Sequence, residues 1–257
     1  MKERADKILV LRGLSSTRQK AQALILAGLV FSGEARIEKS GQLLDEDVEL
    51  RIKEKLPFVG RGGLKLDEAL DFFSLSVDGC VAADLGSSTG GFTDCLLQRG
   101  ARKVYAVDVD IRQFDWKLGK DPRVVQIRKN ARYLEPSDFD ESFEIVTMDL
   151  SFISVLLVLP SVVNILKKGS VLALIKPQFE VGRDQVGKKG IVRDPSLHKN
   201  VLERIIKGAK TLGFKPHGVL KSATRGQKGN REFFIHWTVT GEGLNDREVL
   251  SAIEEAV

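Results

Sequence analysis

At 257 residues the chain can hold one full α/β domain and a small module, and its net charge of +5 permits a polyanionic partner without requiring one. Its two cysteines exclude a disulfide framework and show no metal-ligand spacing, so both are expected to be small buried hydrophobes in a reducing compartment, with no metal site. The charged start Met1-Lys2-Glu3-Arg4-Ala5-Asp6 argues against a secretory leader, and no apolar run reaches the roughly 18 residues of a membrane span, so a cytoplasmic protein is expected.

Residues 1–55 read as a separate unit. An apolar stripe predicts a helix over 4–11, stopped at Gly13, and Ser15-Ser16-Thr17 supplies capping hydroxyls for a second helix over 18–27. Short strands are predicted over 29–31, 35–37 and 48–52, the first two joined by the turn Ser32-Gly33-Glu34. Arg4, Lys7, Arg12, Arg18 and Lys20 recur on the polar helix faces, while acids gather at Asp45-Glu46-Asp47. A basic face beside a turn suits the phosphates of structured RNA, although charge alone is equally served by a solvated helix face. The ordered run Arg4-Ala5-Asp6-x-x-Leu9-Val10, Gly13-Leu14, Ser16-x-Arg18-x-x-Ala21, Ile25-x-Ala27-Gly28-x-Val30 and Gly33 resembles the S-four-type (alpha-L) RNA-binding module. That resemblance implies that the five basic residues bind RNA. The turn departs from the module's usual pattern, with Ser32 before Gly33.

Residues 56–63, rich in proline and glycine, are read as a linker, and 64–257 as a second domain. A helix is predicted over 64–73. Strands follow at 80–85, 104–107, 124–127, 143–148, 171–175, 218–222 and 231–239, with helices over 154–166, 196–212 and 245 to the end. Alternating strands and helices predict a Rossmann-like, mostly parallel, doubly wound sheet of seven strands, and the short connection between the last two predicts an antiparallel hairpin.

The first strand of that domain ends in Asp84-Leu85-Gly86-Ser87-Ser88-Thr89-Gly90-Gly91-Phe92-Thr93, and the second closes on Asp108. Strand, glycine-rich turn, helix and strand ending in an acid form a nucleotide-binding half-unit. The turn is neither Gly-x-Gly-x-x-Gly nor a P-loop, so a pyrophosphate or triphosphate is a poor fit. Asp84-x-Gly-x-x-x-Gly90-Gly91 resembles the first motif of S-adenosylmethionine-dependent methyltransferases, whose cofactor carries an ammonium and a sulfonium. Asp84, Gly86, Ser87, Gly90, Gly91 and Phe92 are expected at its amino-acid end and Asp108 at the ribose. Asn130 and Asp149 are expected near the adenine and the methionine.

Ligands bind outside the carboxyl ends of such strands. Asp149 and Lys176 end strands four and five, Glu232 opens the reversed last strand, and Lys65 starts the helix before strand one, so all four are expected on one rim. They match the Lys-Asp-Lys-Glu tetrad of FtsJ-like ribose methyltransferases. With Arg61-Gly62-Gly63-x-Lys65-Leu66, Ser88-Thr89-Gly90-Gly91-Phe92-Thr93-Asp94, Asp149-Leu150-Ser151-Phe152-Ile153, Lys176-Pro177-Gln178-Phe179-Glu180 and Gly229-Asn230-x-Glu232-Phe233, the chain resembles the TlyA (hemolysin A) family. The resemblance implies methylation of ribosomal RNA, or of ribosomal subunits, at a ribose 2′-hydroxyl of cytidine. A lysine can take the hydroxyl proton only if its pKa falls well below about 10.4. Lys176 is the expected activating group, with Asp149 and Glu232 positioning it and Lys65 tuning the field.

Three other functions compete. A base methyltransferase of the same fold would carry Asn/Asp-Pro-Pro-aromatic where Asp149-Leu150-Ser151-Phe152 stands, or a nucleophilic cysteine at the rim. A membrane-active hemolysin would need a span or a strongly amphipathic basic helix. A ribosome-binding module without catalysis has no use for a complete tetrad.

Overall fold

The computed structural model describes residues 2–26, 28–52, 57–182 and 185–257, with only the backbone of Lys188 and Gln227. Met1–Leu56 and Pro57–Val257 form two compact units. The first contains β1 (Lys2–Arg4), α1 (Ala5–Leu11), α2 (Arg18–Leu26), β2 (Val30–Ser32), β3 (Ala35–Arg36), β4 (Leu43–Asp45) and β5 (Arg51–Ile52). β1 pairs antiparallel with β4, and β2 lies between β3 and β5. Ala5, Ile8, Leu9, Ala21, Ile25 and Val30 fill the core. The sequence reading missed β1 and β4. Both are three-residue strands, too short to show an alternating pattern, and they exist because they pair with each other.

The second unit contains α3 (Arg61–Phe72), β6 (Val81–Leu85), α4 (Gly91–Gln98), β7 (Lys103–Asp108), β8 (Val124–Arg128), β9 (Ile145–Met148), α5 (Leu159–Ile165), β10 (Ser170–Ile175), α6 (Pro195–Thr211), β11 (Lys215–Lys221), β12 (Phe233–Thr238) and α7 (Asp246–Ala256). The sheet order is β11-β12-β10-β9-β6-β7-β8. Only β12 runs against the rest, inserted between β10 and β11. β11 extends back through Pro216, which an edge strand tolerates, with a register shift between Pro216 and Gly218.

Alternation along the strands sorts the core into two layers. Val81, Ala83, Leu85, Val171, Ala173, Ile175, Phe233, Ile235 and Trp237 face α5, α6 and α7. Ala82, Ile145, Leu172, Leu174 and Phe234 face α3 and α4. Carried to the strand ends, the same alternation puts Asp84, Asp149, Lys176 and Glu232 all on the α3–α4 face.

Three expectations are corrected. The helix placed over 64–73 begins at Arg61, inside the stretch read as linker. Glycine is needed at 62 and 63 because a side chain there would crowd its neighbours: a Cβ on Gly63 would lie 2.3 Å from Phe58, and one on Gly62 3.3 Å from Phe92. The helix over 154–166 is a single 3-10 turn, Val155–Leu157, followed by α5 with Pro160 in its first turn, where proline is tolerated. The crossovers from β7 to β8 and from β8 to β9 carry only one-turn helices, Ile111–Gln113, Leu118–Lys120, Ala131–Tyr133 and Pro136–Asp138.

Candidate active site

β6 has β7 on one side and β9 on the other, so the chain reverses its direction of travel across the sheet between β6 and β9. A crevice opens at the carboxyl ends of strands at such a point. Gly86 and Asp149 stand on its two sides. Asp149 N–H donates to the Leu85 carbonyl at 3.0 Å, and a Cβ on Gly86 would fall 2.6 Å from the Asp149 carbonyl oxygen. With φ of +86° and +95°, Gly86 and Gly90 hold the loop in a form that other residues rarely adopt. Gly86 and Ser87 donate backbone N–H to the Val107 carbonyl at 2.8 and 3.2 Å, tying the loop to β7.

The expected cofactor residues divide into three groups. Ser87 is buried, and its hydroxyl has no hydrogen-bond partner among the described residues. A buried orphan in a glycine cradle is what a polar ligand would satisfy. Asp108 accepts from Ser88 N–H at 2.8 Å and Asp110 N–H at 3.0 Å, which fixes the carboxylate and leaves lone pairs for ribose hydroxyls. Asp84, by contrast, faces inward: it is 0% exposed, and its oxygens accept from Thr93 Oγ1 at 2.7 Å and Thr147 Oγ1 at 3.3 Å. It therefore braces the loop from below rather than lining its surface. Phe92 is buried too, stacked toward Phe234 at 6.1 Å. Asn130 is exposed, and its Oδ1 caps the turn Ala131–Tyr133 through Arg132 N–H at 3.0 Å. The sequence reading passed over Val109, 59% exposed directly after the ribose-side acid and placed to offer an apolar surface to a base.

The four charged residues meet as two pairs. Lys176 Nζ lies 2.7 Å from Asp149 Oδ1 and donates to Ser151 Oγ at 3.0 Å. The lysine contact on Asp149 Oδ1 is close but not aligned as a hydrogen bond, so that buried oxygen keeps room for another donor. Lys65 Nζ donates to Glu232 Oε2 at 2.5 Å. Glu232 was expected to position Lys176; it stands opposite it by strand register, since Ile175 pairs with Phe233, but its carboxylate is taken by Lys65. A Cβ on Gly226 would fall 1.9 Å from Glu232 Oε1, so the 225–230 turn closes over that carboxylate. A Cβ on Gly62 would lie 3.8 Å from Asp149 Oδ2, which brings the start of α3 to the same rim.

Further residues complete the rim. Phe152 is 89% exposed with φ of +65°, and its ring lies 4.8 Å from that of Phe179, over which Lys176 Nζ sits at 6.0 Å. A large apolar side chain held outward at a strained backbone position beside Lys176 suits stacking on a base. The buried Asn230 donates to the Gly190 carbonyl at 2.9 Å and accepts from Val192 N–H at 3.1 Å, fastening the glycine-rich loop beside β12. No group of three or more histidine, cysteine or acidic residues among the described residues could hold a metal.

A family model described as FtsJ-like methyltransferase matches residues 58–238. The chain belongs to the FtsJ-like methyltransferase family. YqxC of Bacillus subtilis (strain 168) is 48% identical over 264 residues, covering 99% of this chain and 94% of that one. The 16S/23S rRNA (cytidine-2'-O)-methyltransferase TlyA of Mycobacterium tuberculosis is 39% identical over 260 residues, covering 99% and 97%. A solved structure from Streptococcus thermophilus, described as a hemolysin, superposes with a TM-score of 0.74 at 44% identity, covering 99% and 96%.

In the N-terminal unit the expected basic face is partly engaged within the protein. Asp6 is fully buried; it accepts from Arg4 at 2.9 and 3.0 Å, Arg18 at 3.0 Å and Gln22 at 2.8 Å. Arg4 and then Gln22 and Arg18 hold its carboxyl well below the usual range. Lys7 pairs with Glu3 at 3.3 Å, and Arg12 donates to the Val48 and Glu46 carbonyls. Lys20 is exposed.

Proposed function

We propose that this protein methylates ribosomal RNA at a ribose 2′-hydroxyl, using S-adenosylmethionine held at the Gly86–Gly91 crevice, with the N-terminal unit gripping the RNA. The observation that carries the reading is the meeting of Asp149, Lys176, Glu232 and Lys65 on one face of the sheet, next to a glycine loop with an unpartnered buried hydroxyl. Cytidine is the proposed acceptor, in line with the name of the Mycobacterium tuberculosis relative.

Bound in that crevice, the cofactor supplies a methyl group on a sulfonium, open to in-line attack. The chain's own task is to present the acceptor oxygen and take its proton. In its neutral form Lys176 Nζ receives the 2′-hydroxyl proton, held in place by Asp149 and Ser151. The Lys65–Glu232 pair backs this group from the neighbouring strand and keeps α3 fixed against the rim. Phe152 receives the acceptor base, so that the ribose is held at the lysine. Arg4, Arg18 and Lys20 bind RNA phosphates, with Asp6 fixing the two arginines while part of each stays exposed.

No helix of the described residues is long and apolar enough to cross a membrane. A site on the cytoplasmic ribosome is the proposed place of action. The test is methylation of ribosomal subunits and of free ribosomal RNA by purified protein, with the methyl group mapped by mass spectrometry. A methyl on the sugar supports the reading; a methyl on the base, or none, overturns it.

A further inference from the structure

We propose that Asp84 carries a proton in the free protein and surrenders it when the cationic cofactor binds, so that cofactor binding releases one proton to solvent. The inference rests on the methyltransferase reading above. It makes Asp84 a positioning residue that acts from beneath the glycine loop.

The geometry starts from isolation. Asp84 lies in the middle of the sheet, between Ala106 of β7 and Thr147 of β9, and is 0% exposed. It makes no ion pair among the described residues. Its partners are two hydroxyls, Thr93 Oγ1 at 2.7 Å and Thr147 Oγ1 at 3.3 Å, and the Thr93 backbone N–H. The charged and titratable groups around it offer no cation free to help. From β9 comes Asp149, two residues beyond Thr147 on the same face, and it is already in contact with Lys176. From α4 come Cys95, buried, and Asp94, which accepts from Val59 N–H and Gln98. From α3 come Lys65, tied to Glu232, and Asp67, tied to Arg99.

A carboxyl without a counter-ion and without water favours its neutral form. Burial is the main cause here, and Asp149 adds like-charge repulsion; the threonine hydrogen bonds pull the other way, and the balance stands at about 7. Asp84 is two residues before Gly86, directly beneath the proposed cofactor crevice. A ligand bearing an ammonium and a sulfonium supplies the missing positive charge there. The O–H bond of Asp84 then breaks, the electron pair stays on the carboxylate, and the proton passes to buffer. Free protein and cofactor thus become a complex plus one proton, with no other reactant. The sign follows: a folded carboxyl whose pKa falls on binding makes affinity rise with pH, below the free protein's value and not above it.

The experiment is titration calorimetry of S-adenosylmethionine into the full-length protein, in two buffers of different ionisation enthalpy, from about pH 5.5 to about pH 8.5. Near pH 6 the cofactor's own amino group, with a reference pKa of about 8, is already charged and contributes no released proton. The expected result is about one proton released per cofactor near pH 6, falling toward none near pH 7.5, above which the cofactor's amino group takes up protons on binding. Affinity should tighten about tenfold per pH unit at the acid end and flatten above pH 7.5. Asp84→Asn should bind without proton release and without that slope. Infrared difference spectra of the unsubstituted protein provide a second readout, independent of the variant's folding: a carboxylic acid band should disappear on binding. Equal heats in both buffers near pH 6, release that persists in a folded Asp84→Asn, or no loss of a carboxylic acid band would each overturn the proposal while leaving the methyltransferase reading intact. Complete absence of binding would overturn both.

Discussion

Lys176 meets Asp149 across the ends of two neighbouring strands, whereas Lys65 meets Glu232 across 167 residues of sequence, from a helix to a strand. The first pair is the more open, with side chains 12% and 23% exposed; the second is 10% and 3% exposed and closed over by the Gly226 turn. An open pair with an unaligned oxygen can engage an incoming hydroxyl. A sealed pair is shut away from an incoming substrate and serves to hold the elements that carry it. The difference separates a pair that handles substrate from one that holds the rim together, and each can be broken without the other.

The largest effect is expected from Lys176→Ala. Turnover should fall by about 10³-fold, the middle of the range for a general base, while cofactor affinity and melting temperature stay unchanged. Retained turnover would assign the proton to another group. Glu232→Ala should instead act on stability, because it strands Lys65 in a buried setting; a loss of about 3–5 kcal/mol in denaturant titration is expected, with Glu232→Gln milder. If Glu232→Ala unfolds at the same denaturant concentration as the unsubstituted protein, the proposed division of labour is wrong. Gly226→Ala tests the seal alone. Its new methyl group would meet Glu232 Oε1 at 1.9 Å, and displacement of that carboxylate should cost about 1–3 kcal/mol in denaturant titration with little change in cofactor affinity. The smallest stability change, under about 0.5 kcal/mol, is expected for Phe152→Ala, since the ring is almost wholly solvated. Its effect should fall on the RNA, as a KM raised by the roughly 1–3 kcal/mol that a base stack contributes. An unchanged KM would remove Phe152 from the substrate site.

Strand ends were readable from the chain because Val171 to Ile175 and Phe233 to Trp237 are short apolar runs with clear bounds; their faces were not, since both sides of these strands are buried in apolar layers. The meeting of four distant charges on one rim followed from that topology. Which lysine takes which acid did not. That choice depends on α3 beginning at Arg61 and running through Gly62-Gly63, a breaker by local propensity whose lack of side chains lets Phe58 and Phe92 pack against the helix. Asp84 shows the same limit. Read as a strand-end acid it belongs at the ligand surface, but it lies within β6, one residue short of its end, where Thr93 and Thr147 cover it. In the N-terminal unit, the recurrence of basic residues concealed that Arg4 and Arg18 converge on one buried acid while Lys20 stays exposed.

The reversed direction of β12 also bears on how the protein is made. A chain growing from its amino end completes the glycine loop, Asp149 and Lys176 early, but Glu232 lies near the carboxyl end and reaches its place only when the last hairpin slots in beside β10. Until then Lys65 lacks its acid and the rim stays unlocked. Closure of the rim is thereby coupled to completion of the sheet.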